Sequence, residues 1–303
     1  MISRRAYALA GLILVMIVWG ITYVVTKAAV REIPPLTLAA LRYLIAASVL
    51  VPIAITRSGL MRLPRPVSFA PLAWMGLTGI VILTVGFNYG LIYGSASQGA
   101  LLYALSPAAV AIAAVVWLQE TLSKRRIGGI VLSVAGTALV VASGEIDRSA
   151  PRPLLGALCM LTGIVAWACY TVIAKRLAGA DQIVVIAWVS MIGMAMLLPF
   201  AAVELLQSSM PRPSLDAWLA TLFLGAVASA TAYVVYNLAL RELDASLVGA
   251  YFTLDPIVGV ATAIVFLGEV LRQGQVMGGV IALAGMWLAA ASPHSVHQAE
   301  TRE

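Results

Sequence analysis

At 303 residues, 62% of them apolar and 11% charged, the chain carries far less charge than a soluble domain, in which about a quarter of residues are ionised. Apolar runs at 7–30 and 69–93 exceed the roughly 20 residues that cross a bilayer. The net charge of +6 sits in short loops between such runs and not on one solvated face, which points to membrane topology and away from nucleic acid.

The N-terminus, "MISRRAYALAGLILVMIVWGITYVV", has a basic start and then an apolar stretch longer than the 7–15 residues typical of a signal-peptide core. It reads as an uncleaved first span. Hydropathy then predicts spans at 7–30, 36–55, 69–93, 96–118 and 127–143, a first repeat covering 1–144. A polar linker follows at 145–153. Five more spans are expected at 154–177, 183–205, 215–240, 246–267 and 275–291, within a second repeat at 154–292. The tail at 293–303 is polar and reads as a disordered cytoplasmic segment. Cys159 and Cys169 stand ten residues apart on one helix, about 15 Å, too far to bridge.

"LQETLSKRRIGGIVLSVAG" at 118–136 returns as "LGEVLRQGQVMGGVIALAG" at 267–285. At this offset of 149, Gly76/Gly225, Asn88/Asn237, Pro107/Pro256, Glu120/Glu269, Gly129/Gly278 and Gly136/Gly285 are identical. Trp19/Trp167 and Lys27/Lys175 match at 148. Apolar composition does not align Asn, Pro, Glu and Trp by chance, so the chain reads as a duplication. Five spans are an odd number, so the second copy enters the membrane from the opposite side. With the N-terminus inside, twelve Lys and Arg face the cytoplasm and six face outward, and Arg42 lies within the second span. Both termini are therefore expected inside. Inverted repeats are the usual plan of secondary transporters, with the substrate site near the midplane.

Several residues stand out. Glu120 and Glu269 close spans beside a helix start and read as caps, with a proton relay as the alternative. Gly86, Gly90 and Gly94 give a small-residue stripe that lets helices approach closely. Pro107 and Pro256 either break their helices at a transport site, freeing carbonyls that must face protein or a wet cavity, or simply kink them. Asp255 reads as the only ionisable residue deep in a span, either a partner for a substrate ammonium or proton, or a brace for the break at Pro256. Its repeat counterpart is Ser106. Trp19, Tyr23 and Lys27 form one stripe, and Trp167, Thr171 and Lys175 the matching one. Both lysines fit snorkelling to the interface. Asn88 and Asn237 either bridge helices or line a wet cavity.

The segment "VWGITYVVTKAAVREIPPLTLAALRY" and the paired "E-x-L…GG…AG" turns resemble the EamA-type, ten-helix transporters of the drug/metabolite transporter superfamily, and within them the YddG-type aromatic amino acid exporters. The resemblance covers about 11–290. It departs at Trp167–Ala168, where the first copy has Trp19–Gly20. The resemblance implies an all-α integral membrane protein of ten transmembrane helices, in two inverted five-helix repeats around a central cavity. It also implies a bacterial inner-membrane location and export of small metabolites. Helices one, three, four, six, eight and nine resemble the cavity-lining set. Their polar and aromatic mid-span residues are Trp19, Tyr23, Thr84, Asn88, Tyr103, Ser106, Trp167, Tyr170, Tyr233, Asn237, Phe252 and Asp255. About half of the rings are expected to fill the bundle core.

No metal cluster, nucleotide loop or ion filter is legible, so no cofactor or catalytic residue is expected. Three functions remain open: an exporter of aromatic amino acids acting by alternating access, an exporter or facilitator of other metabolites, cationic drugs or sugars, and a membrane-bound enzyme or sensor. The expected partners are a small-molecule substrate and the lipid bilayer. The oligomeric state stays open, a monomer included.

Overall fold

The computed structural model describes residues 4–58, 68–94, 96–103, 105–143, 152–207, 212–267 and 273–290. Glu269, most of the linker and the tail at 293–303 lie outside these. Among the described residues every regular element is helical. In chain order they are α1 (Arg4–Ala29), α2 (Pro35–Ser58), α3 (Phe69–Tyr93), α4 (Ala96–Tyr103), α5 (Ser106–Leu118), α6 (Lys124–Ser143), α7 (Pro153–Arg176), α8 (Gln182–Gln207), α9 (Leu215–Glu242), α10 (Ala245–Tyr251), α11 (Leu254–Leu267) and α12 (Gln273–Ala290). Seven helical stretches among them are long and apolar enough to cross a membrane.

Local chemistry sets the ends. Pro35 and Pro153 open α2 and α7, where a missing N–H costs nothing. The Ser214 hydroxyl accepts from the Ala217 N–H and caps α9. Gln119, at φ 55°, takes the left-handed conformation that stops α5. The outward faces carry Leu14, Ile112, Val165, Phe200, Val265 and Trp287, all exposed. On a water-soluble protein such a surface would be an aggregation hazard, whereas lipid solvates it.

Two features recur at matching places. First, α3 and α9 each contain a π segment, Leu77–Ile82 and Phe223–Thr231. Second, a short helix and a longer one follow in each half, α4–α5 and α10–α11, with the break just ahead of Pro107 and Pro256. The span expected at 96–118 is thus two helices, and the proline stands in the first turn of the second. There its ring clashes with no preceding turn.

The repeated phrase has a packing reason. A methyl group at Gly129 would strike the Gly285 carbonyl and the Ala289 backbone, and one at Gly285 would strike the Gly129 carbonyl and Ser133. Gly136 meets Gly278 and Ala282 in the same manner. So α6 and α12 touch backbone to backbone through the glycines that the two copies share. The Gly86 and Gly90 stripe packs α3 onto Cys159 and Met160 of α7.

Both lysine ends are bonded to protein carbonyls. The Lys27 ammonium donates to the carbonyls of Leu91 and Gly94, the last at 2.7 Å. The Lys175 ammonium donates to those of Leu240 and Leu243, at 2.8 and 2.7 Å. Each cation satisfies the orphan carbonyls that end α3 or α9 and complements the helix dipole there. Glu120 accepts from the N–H groups of Ala245 and Ser246 at 2.9 and 3.2 Å, which caps α10 from the other half of the chain. Glu204 does the same for α2, accepting from Leu36 and Thr37 at 3.2 and 2.7 Å.

Candidate functional site

Close approach of α1 and α11 builds the centre of the molecule. A side chain at Gly20 would collide with Val258 and the Asp255 carbonyl, and one at Gly259 would meet the Tyr23 ring. With no Cβ at either place, α1 lies against the first turn of α11. The Tyr23 hydroxyl then reaches Asp255 and donates to Oδ2 at 2.7 Å. Asp255 sits in the first turn of α11, where the helix dipole favours an anion. Its Oδ1 has no hydrogen-bond partner among the described residues, although only 3% of the residue is exposed.

A cavity with about 480 Å³ of atom-free space, open solvent included, lies beside this carboxylate. Two aromatic groups wall it. On one side Trp19 stacks on Phe252, with centroids 5.6 Å apart, and meets Trp167 edge-on at 5.1 Å. Tyr233 closes this group at 5.5 Å from Trp167. On the other side Tyr23, Phe87 and Tyr103 contact one another at 5.1–6.1 Å. Thr22, Thr84, Leu83 and Arg42 complete the lining.

The π segments hold this wall in place. The wide turns leave carbonyls available to side chains of other elements. The Trp19 indole N–H donates to the Ala228 carbonyl at 2.9 Å, and the Tyr233 hydroxyl donates to that of Gly79 at 2.8 Å. Tyr43 joins the chain through the hydroxyls of Tyr233 and Thr84, both at 3.1 Å.

Of the twelve residues expected from sequence, Trp19, Tyr23, Thr84, Tyr103, Trp167, Tyr233, Phe252 and Asp255 line the cavity. Asn88, Ser106, Tyr170 and Asn237 do not. Asn88 donates to the Pro35 carbonyl at 2.8 Å and ties α3 to the start of α2. Asn237 donates to the Tyr170 hydroxyl at 2.7 Å and to the Tyr233 carbonyl. Both asparagines therefore bridge. Tyr170 stacks behind Trp167 at 4.7 Å, and Ser106 is fully buried at the start of α5.

Arg42 corrects the view of Asp255 as the single deep charge. It lies on α2, 8% exposed, with its Nε donating to Ser229 of α9 at 2.5 Å and its guanidinium carbon 5.7 Å from the Tyr43 ring centroid. Sequence placed it within a span but gave it no role, because α2 was not among the helices expected to line the cavity. Thr22, Leu83 and Phe87 were also missed, being residue types that fill any helix interface. No group of three or more His, Cys, Asp or Glu that could hold a metal ion occurs among the described residues.

Comparison with known proteins places this site in context. The model of the EamA-like transporter family matches twice, at 6–142 and 154–291. A transporter of Archaeoglobus fulgidus is 29% identical over 93% of this chain and 97% of its own length. A Salmonella typhimurium protein named as a probable amino-acid metabolite efflux pump is 27% identical over 94% of this chain and 95% of its own. One solved crystal structure superposes with a TM-score of 0.76 at 20% identity, over 95% of this chain and 97% of that one, which shows a shared fold. Matched by the family model in both halves, the chain belongs to the EamA-like transporter family and is a multi-pass membrane protein.

Proposed function

We propose that the protein exports small organic metabolites, with aromatic amino acids as its substrates, by alternating access across a bacterial inner membrane. The observation that carries this reading is an aromatic-walled cavity into which Asp255 presents an unpartnered carboxylate oxygen. An aromatic substrate ring gains about 0.5–1.5 kcal/mol per ring contact beyond area burial, enough to select and still weak enough to release. Asp255 receives the substrate ammonium. The Salmonella relative's name, an amino-acid metabolite efflux pump, supports the substrate class.

Ten spans in two inverted halves are part of the same proposal, with both termini in the cytoplasm. The reciprocal contacts of α6 with α12 and the matched lysine caps support it, since each is what exchange of two equivalent halves would produce. The test is efflux from proteoliposomes loaded with labelled L-phenylalanine, challenged with tryptophan, tyrosine, a hexose and tetraphenylphosphonium. Competition by the aromatic amino acids alone is expected. Competition by the hexose or the lipophilic cation, with none from the amino acids, would replace this substrate class with another.

A further inference from the structure

Arg42 and Asp255, on two helical stretches apolar enough to span a membrane, line one cavity with opposite charges, yet they do not approach within 4.0 Å of each other. Ionised groups buried in such stretches are costly unless paired. The shortest way to lower that cost is a direct ion pair, and the fold does not make one. Each side chain is instead anchored from behind. Nε of Arg42 is committed to Ser229, and its guanidinium rests near the Tyr43 ring. Its two terminal nitrogens make no hydrogen bond among the described residues. They form the end-on fork that a carboxylate fills with two parallel bonds. Asp255 is anchored by Tyr23 through Oδ2, which leaves Oδ1 for a donor.

We infer that Arg42 is a specificity-determining residue that takes the substrate carboxylate while Asp255 takes the ammonium, so the cavity selects zwitterions. This rests on the reading of the site as an amino acid site and sharpens it to α-amino acids with both charges intact. An amine without a carboxylate leaves Arg42 buried and unpaired. An acid without an amine does the same to Asp255. Both are rejected for the same reason: the charge left behind has lost water and gained no partner. The aromatic walls then read the side chain, and the charge pair reads the backbone end of the substrate.

The experiment measures dissociation constants for L-phenylalanine, 2-phenylethylamine and 3-phenylpropanoate on purified protein in lipid nanodiscs. The two single-charge analogues are expected to bind at least about tenfold more weakly than phenylalanine, the scale of one charged hydrogen-bonded contact. In Arg42→Gln, phenylalanine weakens by about tenfold or more while 2-phenylethylamine does not, so their gap closes. Arg42→Lys keeps the charge and restores part of the gap. Asp255→Asn gives the mirror image, closing the gap between phenylalanine and 3-phenylpropanoate. A uniform fall for all three ligands in Arg42→Gln, unrelieved in Arg42→Lys, would mark a structural role and overturn the inference. Equal wild-type affinity for phenylalanine and 2-phenylethylamine also overturns it and leaves the aromatic site standing. Failure of the wild type to bind any aromatic amino acid overturns both.

Discussion

The seam between α6 and α12 and the cavity between α1 and α11 show opposite behaviour under the duplication. At the seam the two copies keep the same residues: Gly129 matches Gly278, and Gly136 matches Gly285. Lys27 and Lys175 likewise close corresponding helices in one manner. At the cavity the copies keep the Trp19/Trp167 pair and diverge elsewhere. Ser106 stands against Asp255, Thr84 against Tyr233, and, at the offset of 148, Arg42 against Ser190. Backbone contact in lipid needs small residues whichever half supplies them. For a cavity that selects zwitterions, as inferred above, one charge of each sign is needed, and a second copy of either would be an uncompensated buried ion. Apart from the Trp19/Trp167 pair, the matched glycines and lysines thus serve packing and helix ends, while the mismatched Arg42, Tyr233 and Asp255 line the cavity.

The comparison breaks most visibly at the seam. Gly129→Val places its side chain against the Ala289 backbone and should cost about 1–3 kcal/mol or abolish the folded protein, whereas Gly128→Ala, with open space beside it, should be neutral. Melting temperatures of the two detergent-purified variants check this, and equal values would remove the packing explanation. At the cavity the expected loss is functional. Trp19→Ala and Trp167→Ala should each raise the half-saturating concentration for Phe, Tyr and Trp by about tenfold, for one or two lost ring contacts, with insertion and yield retained. Unchanged competition profiles in both variants would sink the aromatic site.

The lysine caps sharpen the contrast. Lys27→Met and Lys175→Met should lower stability by similar amounts, roughly 1.5–3 kcal/mol each, and leave substrate preference alone. A change of preference in either one would move that lysine from scaffold to site. The smallest effect belongs to Glu32 in the loop after α1. It accepts from the Ser214 backbone N–H at 2.7 Å and from its hydroxyl, and these bonds hold its carboxyl below the ordinary value of 4.5. A depressed folded value means that the contribution is present above pH 4.5 and fades as pH falls through the folded value. Glu32→Gln should flatten this part of the acid limb of thermal stability, and an unaltered limb would show that the contact contributes nothing measurable.

The helical membrane class was legible from apolar run length alone, and the duplication from Asn, Pro, Glu and Trp recurring in order. The cavity was legible where a residue combined depth with an i, i+4 stripe, as in Trp19 and Tyr23. It failed for Asn88 and Asn237 because bridging a helix and wetting a cavity satisfy the same buried amide, and only neighbours across space separate them. It failed for Arg42 because a span of hydropathy says which residues lie deep, not which other helix they face. Phe87 and Leu83 carry no chemistry that distinguishes a wall from a core. The π segments share little composition: "LTGIVI" and "FLGAVASAT" have in common only a Gly at the third place and a Val at the fifth.

Those π segments make α3 and α9 sensitive to length as well as to composition. An α-helix turns about 100° per residue. Removing one residue from Phe223–Thr231 would tighten the wide turn and swing all that follows by about that angle. Tyr233 would leave the cavity, Asn237 would lose Tyr170, and Lys175 would no longer find Leu240 and Leu243 beneath it. Substitutions inside the segment that keep residue size change none of these. Insertions and deletions in the middle of these two helices are therefore far less tolerable than in the loops at their ends, and relatives that keep this cavity should also keep the spacing across each segment.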